Sequence, residues 1–280
     1  MKNKESVFLS QYLPLILTVV IFLVLSAVLY LEIIVLNTFS SEHILTQIRW
    51  GDVLVGMTIY LKTSVDFAIF IGNLMSQYPG WKNRIAIELG TAVGNALGTM
   101  IVLGIWSFFR EIDWLLALMI FVAALVLLRL AQDGVEHAKE GLTQKRNALA
   151  MTIIAMEKVL KSINSFVNPV LKYIIPHVSM RSVGKKTLIG VVAMSFTIPF
   201  ILGLDDFAGY VPLFDIVNVF GFSIGVLMGH MILNAFLFIS PKKTIAIVKN
   251  SIISFIGSLA FIALAIWGFY EVYRILLGSH

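Results

Sequence analysis

The sequence of 280 residues contains no cysteine, which excludes disulfide bonds and thiolate metal sites. Charged residues are also scarce, since Asp, Glu, Lys and Arg make up 13% of the chain, against about a quarter in soluble domains. Glycine-rich phosphate loops, zinc-protease His-Glu-x-x-His motifs and serine nucleophile elbows are missing as well. The chain therefore belongs in a lipid bilayer, and we do not expect it to be an enzyme.

Long apolar runs take the place of the missing charges. A membrane-spanning helix needs about 20 apolar residues, and the candidate runs are 13–36, 53–75, 85–108, 114–131, 187–204, 211–239 and 245–276. The first run is too long for a signal peptide and lacks a cleavage site, so we interpret it as a retained helix. The sequence predicts an all-α polytopic membrane protein with about seven transmembrane helices.

The basic residues indicate membrane orientation rather than nucleic-acid binding. The formal net charge is +5, but the basic side chains lie in alternate connections between the apolar runs. By the positive-inside rule, the N-terminus and the segment 132–186 are cytoplasmic, and seven spans place the C-terminus outside. We expect a protein of the cytoplasmic membrane. The connections that support this orientation carry Lys2, Lys4, Lys82, Arg84, Lys139, Lys145, Arg146, Lys158, Lys161, Lys172, Arg181, Lys185, Lys186, Lys242 and Lys243.

An internal repeat divides the chain. In each half, an apolar run that contains Asp comes first. The next run has three glycines spaced four residues apart, which we call a glycine ladder, and the third run is apolar without either feature. Each repeat holds three spans, an odd number, so the second must be inverted relative to the first, as in many secondary transporters with a site near the midplane. The predicted domains are 1–52 (tail and extra helix), 53–131 (first repeat), 132–186 (basic connector) and 187–280 (second repeat). The ladders are Gly90, Gly94, Gly98 and Gly221, Gly225, Gly229, spacings that let helix backbones approach closely.

The connector 132–186 is too polar to span a membrane. From Met151 to Ile163 its apolar residues recur at helical spacing with lysines between them, which predicts an amphipathic helix. Such a helix could lie on the inner leaflet or on the cytoplasmic face of the protein, but a solvated helical connector is the favoured interpretation.

The first acidic motif places Asp66 inside the apolar run 53–75, with Ser64 two residues before it and Asn73 seven residues after it. Carboxylate, hydroxyl and amide oxygens suit a hard or borderline divalent cation, or a proton carrier. A charge at membrane depth is costly, so we expect Asp66 to be functional. The alternative is a structural carboxylate that is hydrogen-bonded inside the bundle.

The second acidic motif, Asp205 and Asp206, is followed by Phe-Ala, as Asp66 is. The helix breakers Pro199 and Gly203 lie just before it and predict an unwound midplane segment whose free carbonyls could also bind an ion. The alternative is a solvated turn on the outer face. The two motifs share the tripeptide Asp-Phe-Ala, and within it Asp206 corresponds to Asp66.

Other polar residues lie on the ladder helices. Asn95 could be a ligand or an interhelical hydrogen-bonding group. Glu88 lies four residues after Arg84, so a helix ion pair is expected. His230 is more typical of a packed, hydrogen-bonded histidine than of a metal ligand.

The motifs resemble those of a known superfamily. The segment from Ser64 to Ala68, followed by Gly72, resembles the Asp motif of bacterial manganese exporters, and Leu204-Asp205-Asp206 is similar to the acidic pair of cadmium-resistance exporters. Both belong to the lysine-exporter (LysE) superfamily, whose TerC-type members also place Asp motifs in inverted three-helix repeats. The resemblance covers about 53–131 and 187–276 and implies net cation export, with Asp66 and Asp206 as the paired metal-site carboxylates.

The chain departs from that family in its extra first helix, its long connector and the single Asp of its first motif. It also lacks the Gly-Pro-Gly-Pro signature of the amino-acid exporters, which disfavours amino acids as the substrate.

The leading functional prediction is a secondary transporter for a divalent cation. One such cation or two protons would neutralise a pair of facing carboxylates, which is sufficient for exchange. The lack of a Cys or Met cluster near the motifs favours Mn²⁺, Mg²⁺ or Ca²⁺ over Cu⁺. We expect the lipid bilayer, the transported cation and a proton or other coupling ion as partners, and no cofactor. Homo-oligomerisation stays open.

Two alternatives belong to other functional classes. An intramembrane aspartyl protease would use two membrane Asp residues as a dyad that shares one proton, and Gly203-Leu204-Asp205 approaches the Gly-x-Gly-Asp motif of that class without its second glycine. A non-transporting membrane factor would recruit a partner through the connector 132–186. Neutralising the Asp residues would spare such a factor, whereas deleting the connector would abolish its function.

Overall fold

The computed structural model describes residues 13–78, 80–142, 148–174, 188–214, 216–248 and 250–278, with some side chains inside the helices left out. All regular elements in these residues are helical, as predicted. They are α1 (Leu13–Phe39), α2 (Trp50–Thr63), α3 (Val65–Gln77), α4 (Trp81–Phe109), α5 (Asp113–Leu142), α6 (Ala148–Ile174), α7 (Leu188–Tyr210), a 3₁₀ turn (Val211–Leu213), α8 (Val219–Ile239), α9 (Pro241–Val248) and α10 (Ser251–Leu276).

Five of the described helices are long and apolar enough to cross a membrane: α1, α4, α5 over Asp113–Lys139, α8 and α10. The pair α2 and α3 makes a sixth candidate if it is counted as one span, although the two helices are bent by 63°. These helices indicate a membrane-embedded protein, as predicted. The predicted number of seven spans is not confirmed, and the expected span 187–204 corresponds to a shorter apolar stretch, Ile189–Gly203.

Two predicted span boundaries need correction because asparagine caps start new helices inside the apolar runs. The run 211–239 opens with the 3₁₀ turn, and α8 begins only after Asn218, whose side chain accepts a hydrogen bond from Gly221 N at 2.8 Å. The run 245–276 is divided between α9 and α10, and Asn250 caps α10 by accepting from Ile252 N at 3.0 Å. Asparagine at these positions satisfies helix N–H groups that have no intrahelical partner.

The chain forms two compact units. Unit 1 comprises Met1–Gly104, Met180–Phe207 and Val217–Ala246, and unit 2 comprises Ile105–Ser179, Ala208–Ile216 and Ile247–His280. In unit 1, helices α1, α2 and α3 pack on α8. In unit 2, α10 and α6 pack on α5.

Glycines allow the helix backbones of unit 1 to touch. A methyl group built on Gly225 of α8 would lie 2.9 Å from Met57 N of α2 and closer still to Val53 O. A methyl on Gly94 of α4 would collide in the same way with the backbone of α7 at Phe196. Each ladder helix therefore meets an Asp-motif helix, or the helix that leads into one, with no side chain between the two backbones.

In unit 2, α6 folds back antiparallel along α5. Its apolar face buries Ile153 and Leu160 against a core that includes Leu127 and Ala131 of α5 and Phe261 of α10. The amphipathic helix predicted within 132–186 is confirmed, and its described part packs on the protein rather than standing alone in solvent.

Polar contacts hold this hairpin in register. The Asn164 side chain donates to Gln132 Oε1 at 2.7 Å. Glu157 forms ion pairs with Lys139 and Lys161, each at 2.8 Å. The hydrogen bond from Lys139, followed by that from Lys161, lowers the pKa of Glu157.

Candidate functional site

A stripe of buried polar side chains runs along one face of α4. It consists of Glu88, Thr91, Asn95 and Thr99, which are 0%, 0%, 2% and 2% exposed. Spacings of three and four residues place these side chains one above another. Polar groups at membrane depth are costly and are usually functional. We call these four residues the polar stripe, and the candidate site adjoins it at Thr91 and Asn95.

Two other helices of unit 1 extend the stripe sideways. Asn234 of α8 donates through Nδ2 to Thr91 Oγ1 at 3.3 Å and to His230 Nε2 at 3.1 Å. His230 Nδ1 lies 2.7 Å from the hydroxyl of Tyr60 in α2. The resulting polar chain, Tyr60–His230–Asn234–Thr91, joins α2, α8 and α4, and His230 and Asn234 are both 0% exposed.

His230 is hydrogen-bonded through both ring nitrogens. Nδ1 pairs with the Tyr60 hydroxyl and Nε2 with the Asn234 amide. His230 is thus the packed, hydrogen-bonded histidine that the sequence predicts.

The first acidic motif lies at a helix break. Ser64 separates α2 from α3, and Asp66 is the second residue of α3. The prediction that Asp66 lies in the middle of a helix is therefore wrong. The Ser64 side chain is 1% exposed, and its hydroxyl has no hydrogen-bond partner among the described residues. Phe67 places its ring 4.9 Å from that of His230. The turn that carries Asp66 is therefore next to the polar chain, although the Asp66 side chain itself lies outside the described part.

The second acidic motif lies in a continuous helix. The predicted unwinding after Pro199 is wrong, because α7 runs unbroken from Leu188 to Tyr210. Neighbouring helices can hold a proline-containing helix in a membrane, and here the Gly94 turn of α4 lies against the α7 backbone at Phe196 and Phe200. The break expected at this motif occurs instead at Ser64.

The helix α7 also contacts the polar stripe directly. A methyl group on Gly203 would lie 2.8 Å from Asn95 O and 3.1 Å from Asn95 Oδ1. The side chains of Asp205 and Asp206, two and three residues further on, are outside the described part. Their helix nevertheless meets α4 at Asn95.

The remaining predicted residues differ in their surroundings. The Nδ2 of Asn95 has no hydrogen-bond partner in the part of the chain that the structure describes. This atom is a hydrogen-bond donor, so only the Oδ1 of Asn95 could bind a cation. Asn73 is exposed on α3 and does not share the buried setting of Ser64.

The predicted ion pair between Glu88 and Arg84 is absent from the described side chains. Glu88 is fully buried, and neither carboxylate oxygen has a hydrogen-bond partner of ordinary geometry among the described residues. The physical reason is its position on the inward face of α4, beside Thr18 of α1, while Arg84 makes other contacts.

Unit 1 therefore brings both acidic segments to one set of buried polar groups, through Phe67 on His230 and through Gly203 on Asn95. Among the side chains that the structure describes, no group of three or more His, Asp or Glu lies close enough to hold a metal ion, and the three motif aspartates are not among these side chains. The sequence interpretation missed Thr91, although its helical spacing from Glu88 and Asn95 could have revealed it. Tyr60 carried no such signal.

Comparisons with protein-family models, with curated proteins and with solved structures found no match to this chain.

Proposed function

We propose that the protein is a secondary transporter that moves a divalent metal cation across the cytoplasmic membrane, in the export direction, in exchange for protons or another ion. The observation that carries the proposal is the buried polar chain Tyr60–His230–Asn234–Thr91 in unit 1. It lies beside the segments that bear both acidic motifs. Polar groups inside apolar helices are costly and commonly mark a binding site or an ion pathway.

Asp66 and Asp206 would supply the two carboxylates that hold the cation, with Asp205, Ser64 and Asn95 as further oxygen ligands. One divalent cation or two protons would neutralise the pair, so occupancy by one excludes the other. Oxygen ligands favour hard cations such as Mn²⁺, Mg²⁺ and Ca²⁺. The helix break at Ser64 supports this role, since interrupted helices expose carbonyl groups to ions in many transporters.

Helix pairing also supports the proposal. In unit 1, α2 packs on the ladder glycines of α8, and α7 packs on those of α4. In unit 2, α5 packs on α10. The first helix of each repeat thus meets the second helix of the other, and the third meets the third. Two inverted repeats related by a two-fold axis would produce this reciprocal pattern. We place the N-terminus in the cytoplasm and the C-terminus outside by the positive-inside rule.

The test is Mn²⁺ flux into proteoliposomes that contain the wild type, Asp66→Asn, Asp206→Asn or Asp113→Asn. Asp113 is an exposed carboxylate at the start of α5, so its variant controls for loss of one negative charge. We expect the first two variants to lose about tenfold or more of the flux, because even changes around metal ligands lower affinity by about 10–100-fold. The control should match the wild type, and circular dichroism should show that every variant is folded.

Equal flux in all four proteins would reject the carboxylate site. Absence of flux for Mn²⁺, Mg²⁺ and Ca²⁺ in the wild type would reject the transporter itself.

A further inference from the structure

Glu88 is a buried acid for which the proposed cation site has no role. It is 0% exposed inside unit 1, and neither carboxylate oxygen makes a hydrogen bond of ordinary geometry among the described residues. An ionised carboxylate without partners is very costly at membrane depth, so this side chain must spend most of its time in its neutral form.

The neighbouring hydroxyl is neutral. Thr18 of α1 is the polar group beside the Glu88 carboxyl, and its hydroxyl also lies 2.9 Å from Pro14 O. A hydroxyl can accept a hydrogen bond from a protonated carboxyl. Thr18 therefore supplies no positive charge to compensate an ionised Glu88.

Among the described side chains on the neighbouring helices, none that the structure places beside Glu88 carries a counter-charge. Ser195 of α7 contacts the neighbouring turn of α4, where its hydroxyl lies 3.3 Å from Ala86 O and 3.0 Å from Val192 O. Asn234 and His230 of α8 reach the Glu88 turn only through Thr91, whose hydroxyl donates to Glu88 O at 3.0 Å. In this set His230 is the one titratable group. Arg84, one helical turn earlier on α4, makes other contacts.

We propose that Glu88 adds one proton to those exchanged by the aspartate pair: it holds a proton when the cation site is empty and releases it when a divalent cation binds near Asn95. This inference deepens the proposed function and depends on it.

The geometry gives the expected size of the coupling. Glu88 and Asn95 are seven residues apart on α4, which corresponds to a rise of about 10 Å. At that distance and at an effective dielectric constant of about 20, a doubly charged cation favours the ionised carboxylate by about 200-fold. Cation binding can therefore expel the proton. Rebinding of the proton lowers the affinity for the cation by the same factor.

The experiment compares wild type, Glu88→Gln, Glu88→Asp and Glu271→Gln. The control residue, Glu271, is also a buried glutamate, but it pairs with Arg274 at 3.2 Å in unit 2. Protons released on Mn²⁺ binding are counted with a pH-indicator dye in detergent. In proteoliposomes, Mn²⁺ uptake driven by a pH gradient is compared with exchange of labelled Mn²⁺ for internal Mn²⁺ at saturating concentrations, which requires no proton movement.

We expect Glu88→Gln to release about one proton fewer per Mn²⁺ and to lose about tenfold or more of the gradient-driven uptake. Its Mn²⁺ exchange should stay within about twofold of wild type, because the glutamine resembles the protonated acid and leaves the cation ligands in place. Glu88→Asp should restore proton release, and Glu271→Gln should behave as wild type.

Unchanged proton release and uptake in Glu88→Gln, with an active wild type, would overturn this inference and leave the transporter standing. Loss of Mn²⁺ exchange in a folded Glu88→Gln variant would also overturn it, since Glu88 would then be a cation ligand. A wild type that neither binds nor moves Mn²⁺, Mg²⁺ or Ca²⁺ would reject the proposed function, and the proton role would fall with it.

Discussion

Replacing Gly225 by alanine tests the backbone contact between α2 and α8. The added methyl group would lie 2.9 Å from Met57 N and closer to Val53 O, whereas ordinary contact begins at 3.4 Å. The helices must therefore separate by at least 0.5 Å, the difference between 3.4 and 2.9 Å. Because the atoms met are backbone atoms, no side-chain rotation can relieve the collision.

The energetic cost follows from comparison with a glycine in open space. Overpacking of a well-packed interior costs about 1–3 kcal/mol, and the rigid backbone on both sides points to the upper end. Gly104 of α4 has nothing within 4 Å of its added methyl group, so Gly104→Ala gains only the helix propensity of alanine, about 1 kcal/mol. Both variants gain this propensity, and the difference between them, about 3 kcal/mol, isolates the collision.

The assay is reversible unfolding of each variant in mixed micelles, followed by far-ultraviolet circular dichroism and tryptophan fluorescence. We expect Gly225→Ala to be less stable than wild type and Gly104→Ala to be equal to it or more stable. Equal stability of the two variants would refute the backbone contact. A matching loss in Gly104→Ala would show that helix flexibility, rather than collision, sets the cost.

Two further predictions concern polar contacts. Tyr60→Phe should cost about 1–3 kcal/mol in the same unfolding assay, because it leaves the buried Nδ1 of His230 without its hydrogen-bond partner. Tyr30→Phe, on a half-exposed ring, is the control. Equal stability of the two variants would contradict the polar chain. The ion pairs with Lys139 and Lys161 lower the pKa of Glu157 in the folded protein below its ordinary value of 4.5. They therefore contribute fully above about pH 4.5 and are lost as the pH falls through the lower folded pKa. The midpoint temperature of thermal unfolding, measured from neutral pH down to about pH 3, should therefore fall more steeply for wild type than for Glu157→Gln. Parallel curves of midpoint temperature against pH would show that these pairs do not stabilise unit 2.

Local patterns were enough to predict the helices and the faces through which some of them pack. The apolar runs predict α1, α4, α5 and α10 because an extended apolar segment can satisfy its backbone in lipid only as a helix. The glycine ladders predict close helix contacts, and Gly94 and Gly225 make them. The helical spacing of the connector predicts α6, since its periodicity is a local property of the chain.

Element boundaries were harder to predict where a cap or a neighbouring helix decides them. Pro199 is a strong helix breaker in isolation, but α7 continues through it beside α4. The actual break, at Ser64, has neither proline nor glycine next to it. The competition between local preference and packing is settled by contacts with residues far away in the sequence.

The sequence by itself determined that this protein is helical, that it belongs in a bilayer and that its acidic residues are costly, because hydrophobicity and charge act residue by residue. Only the tertiary structure decided that Glu88 is buried beside Thr18 instead of paired with Arg84, and that Tyr60, His230, Asn234 and Thr91 form one chain. These contacts join residues up to 170 positions apart. The rotation and register of the packed helices bring such residues together, and both depend on the packing of every helix at once.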